Sequence, residues 1–217
     1  RHIEFDTGVG LFQTADEYER LVSNPMIEED SMTKRQLVAL ETQKGALRLS
    51  QVKAGSDPRD SVGGVSFRHL SMLAQIKSSD DDVWKSLRRS GHIEGDPGES
   101  LEDRLARMRN WIEGPHFPQH ARLQIRSQVS DEARANLDER AMNFLSGLSS
   151  LLSECQWRER EIAAAISEAA DSSGVSRKEC FSALYWSLID KSNGPKASSL
   201  LSEMERDDVL SLLESAK

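Results

Sequence analysis

No stretch of this chain approaches the roughly 18 consecutive apolar residues that a membrane-spanning helix requires, and no basic-then-apolar leader of the secretory kind opens it. These absences exclude a helical membrane protein and make the cytoplasm the expected compartment. Cysteine is scarce too: Cys155 and Cys180 are the only two, both expected inside helices as buried thiols, which suits a reducing compartment. The five histidines are too scattered for a zinc site. His116 and His120 have i,i+4 spacing, but Pro115 and Pro118 keep that segment from forming a regular helix with both rings on one face. No phosphate-cradling glycine loop occurs, since Gly8/Gly10 and Gly63/Gly64 lack a strand-turn-helix setting. No Gly-x-Ser-x-Gly elbow occurs either. The expectation is therefore no catalytic residue, no metal and no cofactor in this chain. What is present is 217 residues, 37% hydrophobic and 29% charged, enough for a soluble globular protein with one large or two small domains.

Periodicity predicts an all-α, multi-helix bundle with negligible β structure. Thr14 to Asn24 reads as a helix with a Thr14/Glu17 capping box and Pro25 at its end. A second helix begins after Ser31 and carries Leu37, Val38 and Leu40. Residues 51–65 turn to loop composition, a soft domain boundary. Ser66 is expected to cap a helix through Lys77. Ser79 and the three aspartates after it start another that ends on Arg88 and Arg89, a charge order suited to the helix dipole. Ser100 and Asp103 start the next, which uses Leu101, Leu105, Met108 and Ile112 and stops at Gly114-Pro115. Residues 115–129 form an irregular connector with a short strand-like alternation from Arg122 to Arg126.

Beyond the connector, Asp131 to Glu154 reads as one long helix, weakest near Gly147 by about 1 kcal/mol relative to Ala. Gln156 to Ser173 gives another. Val175 to Pro195 is the most informative stretch. Ser176 and Glu179 make a capping box, Phe181, Leu184, Tyr185 and Leu188 make an apolar stripe, and Asn193-Gly194-Pro195 makes a stop. Two short helices, Lys196 to Glu203 and Arg206 to Ser215, close the chain.

The net charge of -8 argues against indiscriminate nucleic-acid binding. The sum hides local reversals of sign. Residues 104–128 hold Arg104, Arg107, Arg109, Arg122 and Arg126 against the lone Glu113, and residues 176–196 hold Arg177, Lys178, Lys191 and Lys196 against Glu179 and Asp190. Between them, residues 129–175 carry four basic and nine acidic side chains. Solvated helix faces with ordinary i,i+4 pairs account for such clusters without any ligand. Arg122 and Arg126 fit that account least, because they lie where no helix face demands them. Trp84, Trp111, Trp157 and Trp186 are candidates for stacking on unpaired bases, although tryptophan at helical spacing is more often core. His69 reads as a surface or capping residue and Arg68 as an interface residue.

Several separated segments resemble one family, the class I lysyl-tRNA synthetases. Residues 8–21, Gly-Val-Gly-Leu-Phe-Gln-Thr-Ala-Asp-Glu-Tyr-Glu-Arg-Leu, are similar to the piece that follows the family's catalytic region. Ser66 to Leu70, Asp82-Val83-Trp84 and Arg88 to Gly91 resemble the opening of its helical anticodon domain. Arg107 to Ile112 with Gly114-Pro115 resembles the next helix, and Phe181 to Lys196 the terminal motif.

The resemblance implies a C-terminal part: residues 1–60 as a connective helical segment, and residues 61–217 as an α-helix cage, in one piece or as two subdomains split near 115–130, that binds the anticodon loop of a lysine tRNA. The family's Rossmann-type catalytic half, with its His-x-Gly-His-like element and Lys-rich loop, is not in this sequence. It would act in cis, binding ATP and joining lysine to tRNA. The family's Gly-Pro-Arg is Gly-Pro-Lys here, so Lys196 keeps the charge but loses a planar fork. The RNA-binding candidates are Arg122, Arg126, Arg177, Lys178, Lys191, Lys196, Arg88 and Arg89. Two rival readings are a helical protein-interaction scaffold and the anticodon domain of a glutamyl-type synthetase.

Overall fold

A computed structural model describes residues 8–23, 32–50 and 64–216. Among these residues there are eleven α-helices and no strand. The chain divides into two compact units, Arg1–His120 and Ala121–Lys217. The loop expected over residues 51–65 lies mostly outside the described residues, as does Pro25.

The first unit holds α1 (Val9–Ser23), α2 (Lys34–Leu49), α3 (Phe67–Ile76), α4 (Asp80–Arg89) and α5 (Glu99–Glu113). Its core combines Leu70 and Leu73 of α3, Val83 and Leu87 of α4, and Leu101 and Leu105 of α5, all 3% exposed or less. Beside it, Phe12, Phe67, Trp111 and Phe117 pack ring to ring with centroids 4.7–5.7 Å apart. Edge-on and tilted contacts of this kind suit the aromatic quadrupole. They tie α1 to α3 and α5. Polar contacts reinforce the tie: Arg68 reaches both carboxylate oxygens of Asp16 at 2.6–2.9 Å, and the Phe67 N–H donates to Glu19 at 2.5 Å.

Local caps fall where the sequence places them at Ser66 and Ser79, whose hydroxyls accept from His69 N and Asp82 N. Three expected starts move. α1 begins at Val9, and Thr14 lies inside it because its hydroxyl donates to the Gly10 carbonyl at 2.9 Å rather than capping. The capping box of α2 belongs to Thr33 and Gln36. α5 starts after Gly98 with no side-chain cap, leaving Ser100 within the helix.

The second unit holds α6 (Asp131–Ala135), α7 (Glu139–Glu154), α8 (Glu159–Ser173), α9 (Arg177–Ile189), α10 (Ala197–Ser202) and α11 (Arg206–Glu214). α7 is central and packs on α8, α9 and α11. Phe144, Leu145, Leu148 and Leu152 of α7 meet Ile162 and Ile166 of α8, Leu184 and Leu188 of α9 and Leu212 and Leu213 of α11 in a core at most 3% exposed.

The long helix expected from Asp131 to Glu154 is two helices, and it breaks at residues 136–138 rather than at Gly147. Asp138 accepts from Ala141 N at 2.8 Å and starts α7, while Asn136 donates to Glu132 O and finishes α6. Cys155 caps the end of α7 and is only half-buried, whereas Cys180 is buried inside α9. Phe181 leaves the apolar stripe: it is 36% exposed while Leu184, Tyr185 and Leu188 are buried. α9 ends at Asp190, which takes the left-handed conformation (φ 54°), so Asn193-Gly194-Pro195 comes after the stop. Gly194 matters for space. A Cβ there would lie 2.8–2.9 Å from Tyr185 and Ile189 side-chain atoms.

Candidate nucleic-acid interface

Three of the sequence-selected cations meet at the C-terminal end of α9. Residues 122–126 form no strand ladder. The Arg126 N–H donates instead to the Leu188 carbonyl at 3.0 Å, and its Nε lies 2.6 Å from Asp190 Oδ2. The other Asp190 oxygen accepts from Ser130 Oγ at 2.7 Å, and the same hydroxyl accepts from Ala133 N to cap α6. Lys191 donates to the Arg122 carbonyl at 2.5 Å, and burial pushes its ammonium below the ordinary lysine value. The left-handed turn at Asp190 thus points one carboxylate at the connector and binds it to the helix end. Asp190 is 12% exposed and Arg126 35%, so this pair holds the chain path while leaving part of the guanidinium in water.

The other candidates lie elsewhere. Arg177 and Lys178 occupy the first turn of α9, about 20 Å from Lys191 at about 1.5 Å per residue over 13 residues. Arg177 reaches Asp171 at 2.9 Å with both side chains 63% exposed. Lys178 is exposed and makes no hydrogen bond or ion pair among the described residues. Lys196 precedes α10 and meets Glu159 at 2.8 Å, on an oxygen that also accepts from Ser199. Between Lys191 and Lys196 the chain folds back on α9, where Tyr185 donates its hydroxyl to the Pro195 carbonyl. Burial raises the Tyr185 pKa. In the first unit, Arg88 ends α4 and grips Gly95 O at 2.6 Å and Asp96 at 3.1 Å, with Arg89 exposed beside it. Within the second unit, Arg177 and Lys178 lie at the opposite end of α9 from Arg126 and Lys191.

The arginine cluster counted over residues 104–128 resolves differently. Arg104 donates to Val65 O at 3.0 Å and pairs with Glu19 at 3.5 Å. Arg109 pairs with Asp80 at 2.6 Å and donates to Ala74 O at 3.0 Å, serving the last turn of α3 and the first of α4 together. Both are largely covered, at 20% and 24% exposure. Only Arg107, paired with Asp103 along the same helix, is well exposed, at 78%. Three of the four tryptophans also have structural places. Trp84 is buried, Trp111 sits in the aromatic cluster, and Trp157 donates to Met204 O while Arg206 covers its face.

Sequence periodicity missed a groove of about 370 Å³ in the second unit, between the α6–α7 break and the first turns of α9. Asn136, Asp138 and Arg140 line one side, Glu179 and Ser182 the other. The signal was the Asn-Leu-Asp sequence at 136–138, which supplies a stop and a cap in succession. Among the described residues no group of three or more His, Cys, Asp and Glu side chains is placed to hold a metal, and no helix is long and apolar enough to cross a membrane.

No family model matches the chain. Individual proteins do. The chain is 24% identical over 98% of its length to the lysine-tRNA ligase of Methanopyrus kandleri, of which the match covers 38%. It is 25% identical over 99% of its length to that of Thermoplasma volcanium, covering 39%, and 26% identical over its whole length to that of Methanosarcina barkeri, covering 41%. The chain spans about two-fifths of the length of these curated relatives. The resemblance to lysyl-tRNA synthetases carried by four separated segments is thus a similarity of the chain from end to end.

Proposed function

We propose that this chain is the tRNA-binding helical part of a class I lysine-tRNA ligase, and that it holds the anticodon loop of a lysine tRNA. A catalytic domain in the same polypeptide would bind ATP, activate lysine and transfer it. Residues 1–60 would connect to that domain and residues 61–217 would form the anticodon cage. The observation that carries this reading is the shape of the similarity: nearly all of this chain, but only about two-fifths of each relative. The sequence has no phosphate-cradling glycine loop, so no step of adenylate chemistry is assigned to its residues. Under this reading the protein works in the cytoplasm.

The geometry supports a division of labour among the cations. Exposed ion pairs such as Arg177–Asp171 and Lys196–Glu159 are worth about 0–1 kcal/mol, so a phosphate can replace the carboxylate at little cost. With Lys178, they are the side chains best placed to take loop phosphates. Arg126 and Lys191 shape the connector. Phosphates set position, and base edges set identity.

The test is binding of the purified chain to a lysine-tRNA anticodon stem-loop at low salt. With about four phosphates neutralised, the logarithm of affinity should fall with the logarithm of salt at a slope of about -3. No binding, together with normal tRNA charging by a full-length enzyme lacking this part, would end the proposal and favour a protein-interaction scaffold. Equal or tighter binding of a glutamate anticodon loop would favour the glutamyl-type reading.

A further inference from the structure

None of the 16 residues of α2 is buried. A helix of this length draws most of its stability in a folded protein from an apolar face packed against something else. One face has such a cover: Leu37, Leu40 and Leu47 are half-buried at helical spacing, and α2 packs on α1. α1 is itself anchored to α3 and α5 by Phe12 in the aromatic cluster and by the contacts of Asp16 and Glu19. On the opposite side of α2 runs a second row, Val38, Thr42, Ala46 and Leu49, again at helical spacing and all exposed. Val38 is 62% exposed and Leu49 82%, and the Thr42 hydroxyl turns back onto the Val38 carbonyl at 2.8 Å. Lys34 and Arg35 flank the head of this row, exposed in the first turn, where the helix dipole disfavours cations and no acidic residue answers them. Bare apolar side chains and cations at the wrong helix end are local conflicts of the kind a protein keeps where a partner resolves them.

We propose that the outward face of α2 is the docking surface for the catalytic domain of the same polypeptide, with Val38 and Leu49 seated on an apolar patch whose rim supplies carboxylates to Lys34 and Arg35. This inference rests on the ligase reading above and adds where the two parts meet. Size selects the occupant. A helix of 16 residues presents a face about 24 Å long and about 10 Å wide, roughly 240 Å², whereas a stable complex of free proteins buries about 800 Å² on each partner. A patch that small holds its partner when a covalent tether supplies a high effective concentration. The match covers 38–41% of the curated relatives, so under the ligase reading the rest of the polypeptide is such a tethered partner. Charge disfavours a second copy of the chain: Lys34, Arg35, Lys44 and Arg48 outnumber Glu41 on this helix, so two α2 helices placed face to face repel.

The test compares hydrogen exchange of the α2 amides in this chain and in the full-length enzyme that contains it. The expected result is at least about tenfold slower exchange in the full-length enzyme, brought to within about threefold of the isolated chain by V38Q/L49Q. In the isolated chain that double variant should leave the thermal melt and stem-loop affinity unchanged, because both side chains already stand in water. Lys34→Glu/Arg35→Glu gives a readout that lost folding cannot mimic. It suits the helix dipole and opposes an acidic rim, so it should slow α2 exchange in the isolated chain and speed it in the full-length enzyme. Equal exchange in the two proteins, or protection unmoved by V38Q/L49Q, overturns the docking face while normal tRNA charging leaves the ligase reading intact. Concentration-dependent self-association of the isolated chain that V38Q/L49Q abolishes would assign the face to a second copy, and weaker stem-loop binding by V38Q/L49Q would assign it to RNA; either overturns the proposal. A full-length protein that charges no lysine tRNA overturns the reading beneath it.

Discussion

In the first unit, Arg104 and Arg109 reach backbone carbonyls and carboxylates from other helices and are about four-fifths and three-quarters covered. In the second, Arg177 and Lys196 stand at helix ends, 63% and 72% exposed, on partners they can exchange. The same side-chain chemistry therefore does different work. In the first unit the Arg109 guanidinium joins the last carbonyls of α3 to the first carboxylate of α4. In the second, aliphatic packing around α7 holds the bundle, and the charges are left on the surface. Local charge counts do not predict ligand contacts when the partners come from elsewhere in the chain.

Breaking the structural arginines should give the largest effect. Arg104→Ala leaves the Glu19 carboxylate without its cation and removes the donor to the Val65 carbonyl in a partly covered site, and should cost about 1–3 kcal/mol of stability in urea unfolding. A loss below about 0.5 kcal/mol would place Arg104 with the surface charges of the second unit. Next comes packing in the second unit. Gly194→Ala drives a Cβ into the buried Tyr185 ring and Ile189, and should cost about 1–3 kcal/mol in a thermal melt. If that variant melts with the unmodified chain, the turn after α9 is looser than described.

A pH titration sharpens the contrast with a smaller signal. In the first unit, burial raises the Glu19 carboxyl above its ordinary 4.5, against the opposing pulls of the Phe67 N–H and Arg104. Between 4.5 and that raised value the folded chain binds more protons than the unfolded one, so stability rises as pH falls through the window and is lost as pH rises through the folded value. In the second unit Glu179 is depressed by its capping contacts with Ser176, so its contribution is present above 4.5 and lost as pH falls through the folded value. Melts across this acid range should show Glu19→Gln and Glu179→Gln removing pH dependence of opposite sign. Shifts of the same sign would contradict the assignment.

What could be read in the sequence was what is local. Ser66, Ser79 and the Ser176/Glu179 box announce helix starts because the capping hydroxyl and the N–H that donates to it sit three residues apart. The apolar stripes of α7 and α8 likewise emerge from spacing alone. Thr14 misled because its hydroxyl had a closer acceptor one turn back, at Gly10. The fates of Arg104 and Arg109 were illegible, since their acid partners lie 85 and 29 residues away. The groove was half legible: Asn136 and Asp138 mark a break, but only the fold brings Glu179 and Ser182 opposite them.

The smallest stability effect and the sharpest functional one should coincide in the exposed cations. Lys178→Ala/Lys196→Ala should change stability by no more than about 0.5 kcal/mol. The decisive measurement is the salt dependence of anticodon stem-loop binding by this double variant and by Arg107→Ala, an exposed arginine of the first unit. The account predicts that the double variant flattens the log-affinity against log-salt slope by about 1–2 while Arg107→Ala leaves it unchanged. An unchanged slope in the double variant, or a flattened one in Arg107→Ala, would contradict it.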